Sequence, residues 1–353
     1  MKTIATLCAV LASTCAAAQT SSVTLYGTLD LGARHGSGLT AGNAPAAESA
    51  SSLGSGIHTT SRWGLRASED LGGGAKALFQ LESGINADTG SSANASKYFD
   101  RAAWLGLQGG WGTLALGRQT TTLADAVSPV DPLGMRFAGF NPSINVAALS
   151  QHGLGIQFGS AGATSGSYRL DNSLKYTGRW GGLTARAMWG LGEVAGQSGA
   201  LSSRGLGLAY AAQGLTVSGA FQTFKDANQR ELDAATLGAA YQWGRLRLAV
   251  NAGRSKAETA VNQHTVQRLL SAGATWAVSA QNDLTTAYYR VDRTRSGAAD
   301  DGYGRFVAFA EHKLSRRTKL YAELDHTRWR HGFQGAANKS RATAVSAGVV
   351  HSF

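Results

Sequence analysis

A period of two runs through most of this chain. Val23, Leu25, Gly27, Leu29 and Leu31 occupy one row, and Thr24, Tyr26, Thr28, Asp30 and Arg34 the other. In an extended segment these rows lie on opposite faces. Trp63, Leu65 and Ala67 likewise oppose Arg62, Arg66 and Ser68, and Ala75, Ala77, Phe79 and Leu81 oppose Lys76, Gln80 and Glu82. Later, Leu215, Val217 and Phe221 stand against Thr216, Ser218 and Gln222, and Leu246, Leu248 and Val250 against Arg247, Asn251 and Ser255. Two stretches blur the pattern. Arg101 shares the parity of Ala103, Leu105 and Leu107, and the run from Arg305 to His312 carries charge on both rows.

Breaks divide the chain into sixteen such segments, each near the ~9 to 11 residues of a tilted membrane-crossing strand. Tight breaks fall at Asp70–Gly74, Gly109–Gly112, Gly178–Gly182, Ala212–Gly214, Gly244, Ser279–Asn282 and Ser315–Arg316. They alternate with longer ones at about 35–57, 86–97, 119–166, 192–203, 225–231, 256–264, 294–302 and 331–340. An even count puts both ends on one side. Past the first twenty residues no apolar run approaches the ~18 to 20 residues of a spanning helix, so any crossing is made by strands.

A soluble sandwich alternates in the same way with its apolar row inward, and aromatic placement separates the two. Trp111, Trp180, Tyr241, Trp243 and Trp276 lie at or near tight breaks, and Trp189, Phe224 and Trp329 beside long ones, as two interfacial girdles require. Pro45, Pro129, Pro132 and Pro142 all fall in long breaks. That fits a closed barrel, which has no edge strand to tolerate a missing ladder donor. The expected class is therefore all-β, a 16-stranded antiparallel transmembrane barrel with short turns at one end and long loops at the other.

Composition narrows compartment and chemistry. Among 353 residues, 46 are Gly, 4 are Pro and 16% are charged, which excludes collagen-like, disordered and helical-bundle chains. Lys2, the apolar run Ile4–Leu11 and the small residues Ala16–Ala18 form a secretory signal. Residues 1–18 are expected to be cleaved, leaving one domain over 19–353. Both cysteines, Cys8 and Cys15, lie in that leader, which removes disulfides and thiol catalysis from the mature chain. A lipid anchor on Cys15 lacks the large aliphatic residue expected three places before it. The formal charge of +11 favours anionic partners without choosing one.

Site chemistry is sparse. No Gly-x-Ser-x-Gly elbow occurs and the histidines are scattered; a hydrolytic set would have to be assembled across strands, for example from His326, Asp325 and a serine. His326 and His331 lack the helical spacing of paired metal ligands. Lys and Arg are dispersed along strands, without a basic run interleaved with stacking aromatics, which disfavours nucleic acid. No cofactor is implied. A diffusion channel, a barrel enzyme and a secreted soluble β-rich adhesin or lectin remain as classes.

The chain resembles the sixteen-stranded trimeric porins of Gram-negative outer membranes, particularly the β-proteobacterial group. The likeness is carried by Ser22-Val23-Thr24-Leu25-Tyr26-Gly27 and by Ser61-Arg62-Trp63-Gly64-Leu65-Arg66 running through Glu69–Gly74 into Phe79-Gln80-Leu81-Glu82. Leu116-Gly117-Arg118-Gln119, Arg169–Tyr176 and the final Phe353 extend it. The resemblance implies a homotrimer of passive outer-membrane channels for small hydrophilic solutes and anions, embedded in outer-membrane lipid, with a third external loop, here about 119–166, folded into each lumen. It implies a basic wall of Arg62, Arg101 and Arg169, with Arg34 and Arg66 sharing the lumenal parity, facing Asp125 and Asp131 of that loop. Two carboxylates are few for such a loop, and Arg136 lies beside them. Phe353, ending a strand with Val345, Ala347, Val349 and His351 on one row, resembles the assembly signal of these barrels.

Overall fold

The computed structural model describes residues 21–147 and 168–353; the expected leader, 1–18, and residues 148–166 of the 119–166 break lie outside the described residues. Strands β1 (Ser21–Leu39), β2 (Pro45–Ser55), β3 (Arg62–Gly72), β4 (Ala75–Asn86), β5 (Ser91–Ser92), β6 (Ala102–Gly109) and β7 (Gly112–Thr120) precede two short helices. These are α1 (Thr122–Val127) and α2 (Pro142–Ala147). Then follow β8 (Arg169–Trp180), β9 (Leu183–Gly190), β10 (Ser203–Ala212), β11 (Leu215–Lys225), β12 (Glu231–Trp243) and β13 (Leu246–Ala260). β14 (Gln263–Ala277), β15 (Asn282–Arg295), β16 (Asp301–Lys313), β17 (Thr318–Arg330) and β18 (Arg341–Ser352) complete the wall.

Neighbouring strands pair antiparallel, and β18 returns to β1 from Thr28↔Ser352 to Ser37↔Thr343, so the sheet closes. β2 and β3 lie along the same edge of β1, one opposite Leu31–Leu39 and the other opposite Ser21–Thr28. They are two pieces of one wall strand, interrupted at 56–61. β5 is a two-residue flap on β4. The wall therefore has sixteen strands, with two extra pieces.

The rows fall as the alternation predicts, with the apolar one outward. Val23 and Leu25 are 66% and 58% exposed, whereas Asp30 and Gln222 are fully buried. In a lipid bilayer this orientation covers the outside, and closure leaves no ladder group unpaired.

Several boundaries differ from expectation. The 35–57 break is mostly strand: β1 continues to Leu39 and β2 starts at Pro45, leaving only a turn. The 256–264 break is a hairpin too, since β13 reaches Ala260 and β14 begins at Gln263. Above the membrane both faces of a hairpin meet water, so strand continues without apolar alternation to reveal it. Pro45 opens a strand instead of lying in a loop, a position where its missing N–H is tolerated. Arg101 precedes β6 instead of belonging to it, which explains its discordant parity.

The segment after β7 turns into the barrel. Thr121 caps α1, accepting from the Ala124 N–H at 3.1 Å, and Leu123 and Ala126 pack with the inward Leu170, Met188, Phe224 and Leu232. Leu133, Phe137 and Phe140 then cross to the far wall and bury against Leu269, Tyr289, Val291, Val307 and Phe309. Each large apolar side chain removed from water contributes roughly 1.5–3 kcal/mol. The docked loop explains why β14–β16 carry apolar residues on both rows. It also corrects two girdle assignments: Phe224 and Trp329 point inward and are buried beneath the loop.

Candidate functional site: the charged lumen

Two arginines, Arg62 and Arg101, meet one carboxylate of the inner wall. Glu82, facing inward from β4, receives the Arg101 Nε at 2.7 Å and lies 3.7 Å from the Arg62 Nε. Its second oxygen also accepts from the Tyr26 hydroxyl at 2.9 Å, and Gln80 donates to that hydroxyl at 2.6 Å. Arg101 is held from both ends, because its N–H also donates to the Glu82 carbonyl at 3.1 Å. Arg62 is fixed by donation to the Thr60 carbonyl at 2.9 Å. The Arg169 guanidinium stacks over Tyr168, 4.4 Å from the ring centroid, within the electrostatic reach of Arg101 and Glu82. Arg169 beside Tyr168 draws that phenol below its usual range, the mark of a locally positive field.

The other expected residues are distributed elsewhere. Arg66, four positions from Arg62 toward the short-turn end, stands exposed on the lumenal row with its guanidinium 5.3 Å from the Tyr26 ring. Arg34 is nearly buried: it donates to Glu323 at 3.0 Å, Asp325 at 2.5 Å and Ser346 at 2.8 Å, and lies 4.3 Å over the Phe140 ring. It braces the loop tip against β17 and β18 and does not join the Glu82 cluster. Asp125 sits on α1 against the wall, 2.9 Å from Lys175 and 3.6 Å from Arg186. Asp131 is fully buried and accepts from the Met135 N–H, the Asn141 amide and the Tyr289 hydroxyl at 2.6, 2.9 and 2.8 Å. Neither carboxylate forms an acidic face opposite the arginines.

Further cations hold the loop. Arg247 donates to the Pro129 carbonyl at 2.8 Å, Arg305 to the Phe140 carbonyl, and Arg136 pairs with Glu311. Neither the motifs nor the resemblance marks Arg247 or Arg305 as a site residue. Their rows gave the available signal, since each lies on the inward parity of its strand.

Known proteins share this fold. The profile of the Gram-negative porins matches residues 5–332, and outer membrane porin protein 32 of Delftia acidovorans is 30% identical over 338 residues, 90% of this chain and 86% of that one. The chain belongs to the Gram-negative porin family. An outer membrane porin of Bordetella pertussis is 39% identical over 160 residues, a match spanning 42% of each chain. Among solved structures, an anion-selective porin from Comamonas acidovorans superposes with a TM-score of 0.79 at 26% identity, covering 95% of this porin and all of that chain. A trimer form of OmpT from Vibrio cholerae shares the fold at 15% identity, with a TM-score of 0.67 over 94% of this chain and 99% of that one.

This porin is thus a passive channel of the Gram-negative outer membrane, with short turns on the periplasmic side and long loops outside. The alternative classes gain no support. Asp325 points inward to Arg34, while His326 on the opposite face bonds Thr343, so the hydrolytic set considered from sequence does not assemble.

Proposed function

We propose that this porin conducts small hydrophilic solutes with a preference for anions, and that its narrowest passage runs between the inward loop and the wall bearing Arg62, Arg101 and Arg169. The observation supporting this most strongly is that Arg62 and Arg101 share a single carboxylate, Glu82, on the wall that also carries Arg169. Asp125 and Asp131, which would counter that charge from the loop, are engaged by Lys175, Arg186 and Tyr289. Fixed charge of one sign raises the local concentration of counter-ions without binding any of them tightly. Arg66 extends the basic wall toward the periplasm, and Arg34 acts indirectly by holding Phe140. At ~0.1 M salt the Debye length is ~10 Å, so the preference weakens at molar salt. The zero-current potential across a KCl gradient tests the reading: its sign must report chloride as the more permeant ion.

A homotrimer and a mature chain beginning after Ala18 belong to the same proposal. Cross-linking in mild detergent should give three chains, and sequencing of the protein from outer membranes should start at Gln19. A persistent monomer would remove the first claim.

A further inference from the structure

Tyr168 stands where the inward segment rejoins the wall. Its carbonyl accepts from the Thr121 N–H at 3.0 Å, and the next residue, Arg169, pairs with Thr120 in the β7–β8 ladder. The segment is therefore fastened where it leaves β7 and where it enters β8, and the Tyr168 side chain is set at the basic wall. Its ring lies 4.4 Å from the Arg169 guanidinium, a favourable cation–π contact. The phenol oxygen accepts hydrogen bonds from both Arg169 and Arg101. Arg169 is buried, whereas Tyr168 keeps partial exposure, so of the two it is the phenol that solvent reaches more.

Positive charge prevails around that oxygen. Arg169 of β8 and Arg101, just before β6, donate to it, and Arg62 of β3 lies within electrostatic reach. Two carboxylates adjoin Arg101: Glu82 of β4 at 2.7 Å, and Asp100, whose Oδ1 accepts from the Gly84 N–H at 2.7 Å. Asp171, further along β8, is held by Lys97 and by Arg118 at 2.5 Å. Donors and cations on a phenol oxygen favour its ionised form. Arg169 first, and Arg101 with it, accordingly draw the Tyr168 pKa below the ordinary 10.0.

We infer that Tyr168 is a selectivity-determining residue of the passage: as the neutral phenol it leaves the charge of Arg101 and Arg169 free to attract anions, and as the phenolate it cancels part of that charge. Ionisation releases the phenol proton to bulk water and places one negative charge between two guanidinium groups; no other bond changes. A unit charge ~6 Å from a passing ion in water alters its local concentration about threefold. The inference rests on the anion preference proposed above and assigns its loss in alkali to one side chain.

Zero-current potentials of the intact porin across a KCl gradient, taken from neutral pH to about pH 10 for wild type and Tyr168→Phe, test it. Phenylalanine keeps a ring over Arg169 and removes only the hydroxyl. The chloride-to-potassium permeability ratio of wild type should fall about threefold or more as pH rises, with its midpoint below 10.0, while that of Tyr168→Phe changes far less. Ultraviolet difference absorbance should show a phenolate forming at the same midpoint in wild type and missing from the variant, a signature that a merely structural tyrosine does not give. Should the variant fail to assemble, wild type alone still decides, because the fall in the ratio and the first phenolate absorbance must share one midpoint. Superimposable potential profiles for wild type and a folded variant, or separate midpoints in wild type, would overturn the role of Tyr168 and leave the anion preference standing. A wild type that does not prefer chloride at neutral pH would overturn both.

Discussion

Gly27 and Phe353 join the two ends of the barrel. The Gly27 N–H donates to the Phe353 carbonyl at 3.1 Å, the Phe353 N–H donates back at 3.0 Å, and the aromatic ring lies over the glycine. A Cβ on Gly27 would stand 2.3 Å from the ring edge and 2.8 Å from the Arg62 carbonyl. The ring can turn aside, but the backbone oxygen belongs to the wall. Gly27→Val should therefore destabilise the closed barrel by about 1–3 kcal/mol, the usual range for overpacking. The thermal midpoint of the purified protein in detergent would fall; an unchanged midpoint contradicts the closure described.

Removal of Phe353 should lower the amount of protein in outer membranes more than it alters conductance of whatever assembles. The ring sits outward, on the lipid-facing row with Val345 and Val349, remote from the lumen. Quantitative outer-membrane fractionation checks this, and normal abundance of the truncated chain counts against it.

Asp131 holds the inward loop through three donors. Asp131→Ala would leave those donors buried without an acceptor, at roughly 1–3 kcal/mol each. Tyr289→Phe should cost less, about 1 kcal/mol, because only one hydrogen bond is removed. Both changes should loosen the loop and raise single-channel conductance or its noise, Asp131→Ala the more strongly. Identical traces from wild type and Asp131→Ala would separate the loop from the narrowest passage.

Acid should release the same loop. His58 is fully buried between Phe137 and Tyr321, its carbonyl accepts from the Phe137 N–H at 2.8 Å, and Glu311, Arg136 and Lys319 surround its ring. Burial lowers its pKa from 6.5 despite the Glu311 carboxylate beside it. The folded state therefore binds fewer protons than the unfolded one below pH 6.5. Its contribution is complete above that pH and is lost as pH falls through the depressed folded value. Thermal midpoints should drop on acidification more in wild type than in His58→Phe; parallel profiles would exclude His58 as the titrating group.

Much of the wall was legible because each membrane-spanning strand must cover lipid on one side and meet water on the other. That requirement wrote Leu25 against Tyr26 and Val217 against Ser218. Where the inner face meets protein instead of water, the rule fails: Phe224 and Trp329 read as interfacial and are buried under the loop. Above the membrane the signal vanishes, so β1 and β2 continue through a stretch that reads as loop. Resemblance implied a basic wall of Arg62, Arg101 and Arg169 but not Glu82, which lies 3.7 Å from the Arg62 Nε and 2.7 Å from the Arg101 Nε. It could not place Asp131 or Arg34, because their partners, Tyr289, Glu323 and Asp325, come from strands more than 150 residues away.

The anion preference rests on the charge of Arg62, Arg101 and Arg169 exceeding that of Glu82, the carboxylate that Arg62 and Arg101 share. Zero-current potentials measured across a KCl gradient, for wild type and for Arg62→Ala with Arg169→Ala, test it most directly. Wild type should pass chloride in preference to potassium, less so at molar salt, and the double variant should lose most of that preference. Cation preference in wild type, or an unchanged potential in the double variant, would contradict the account.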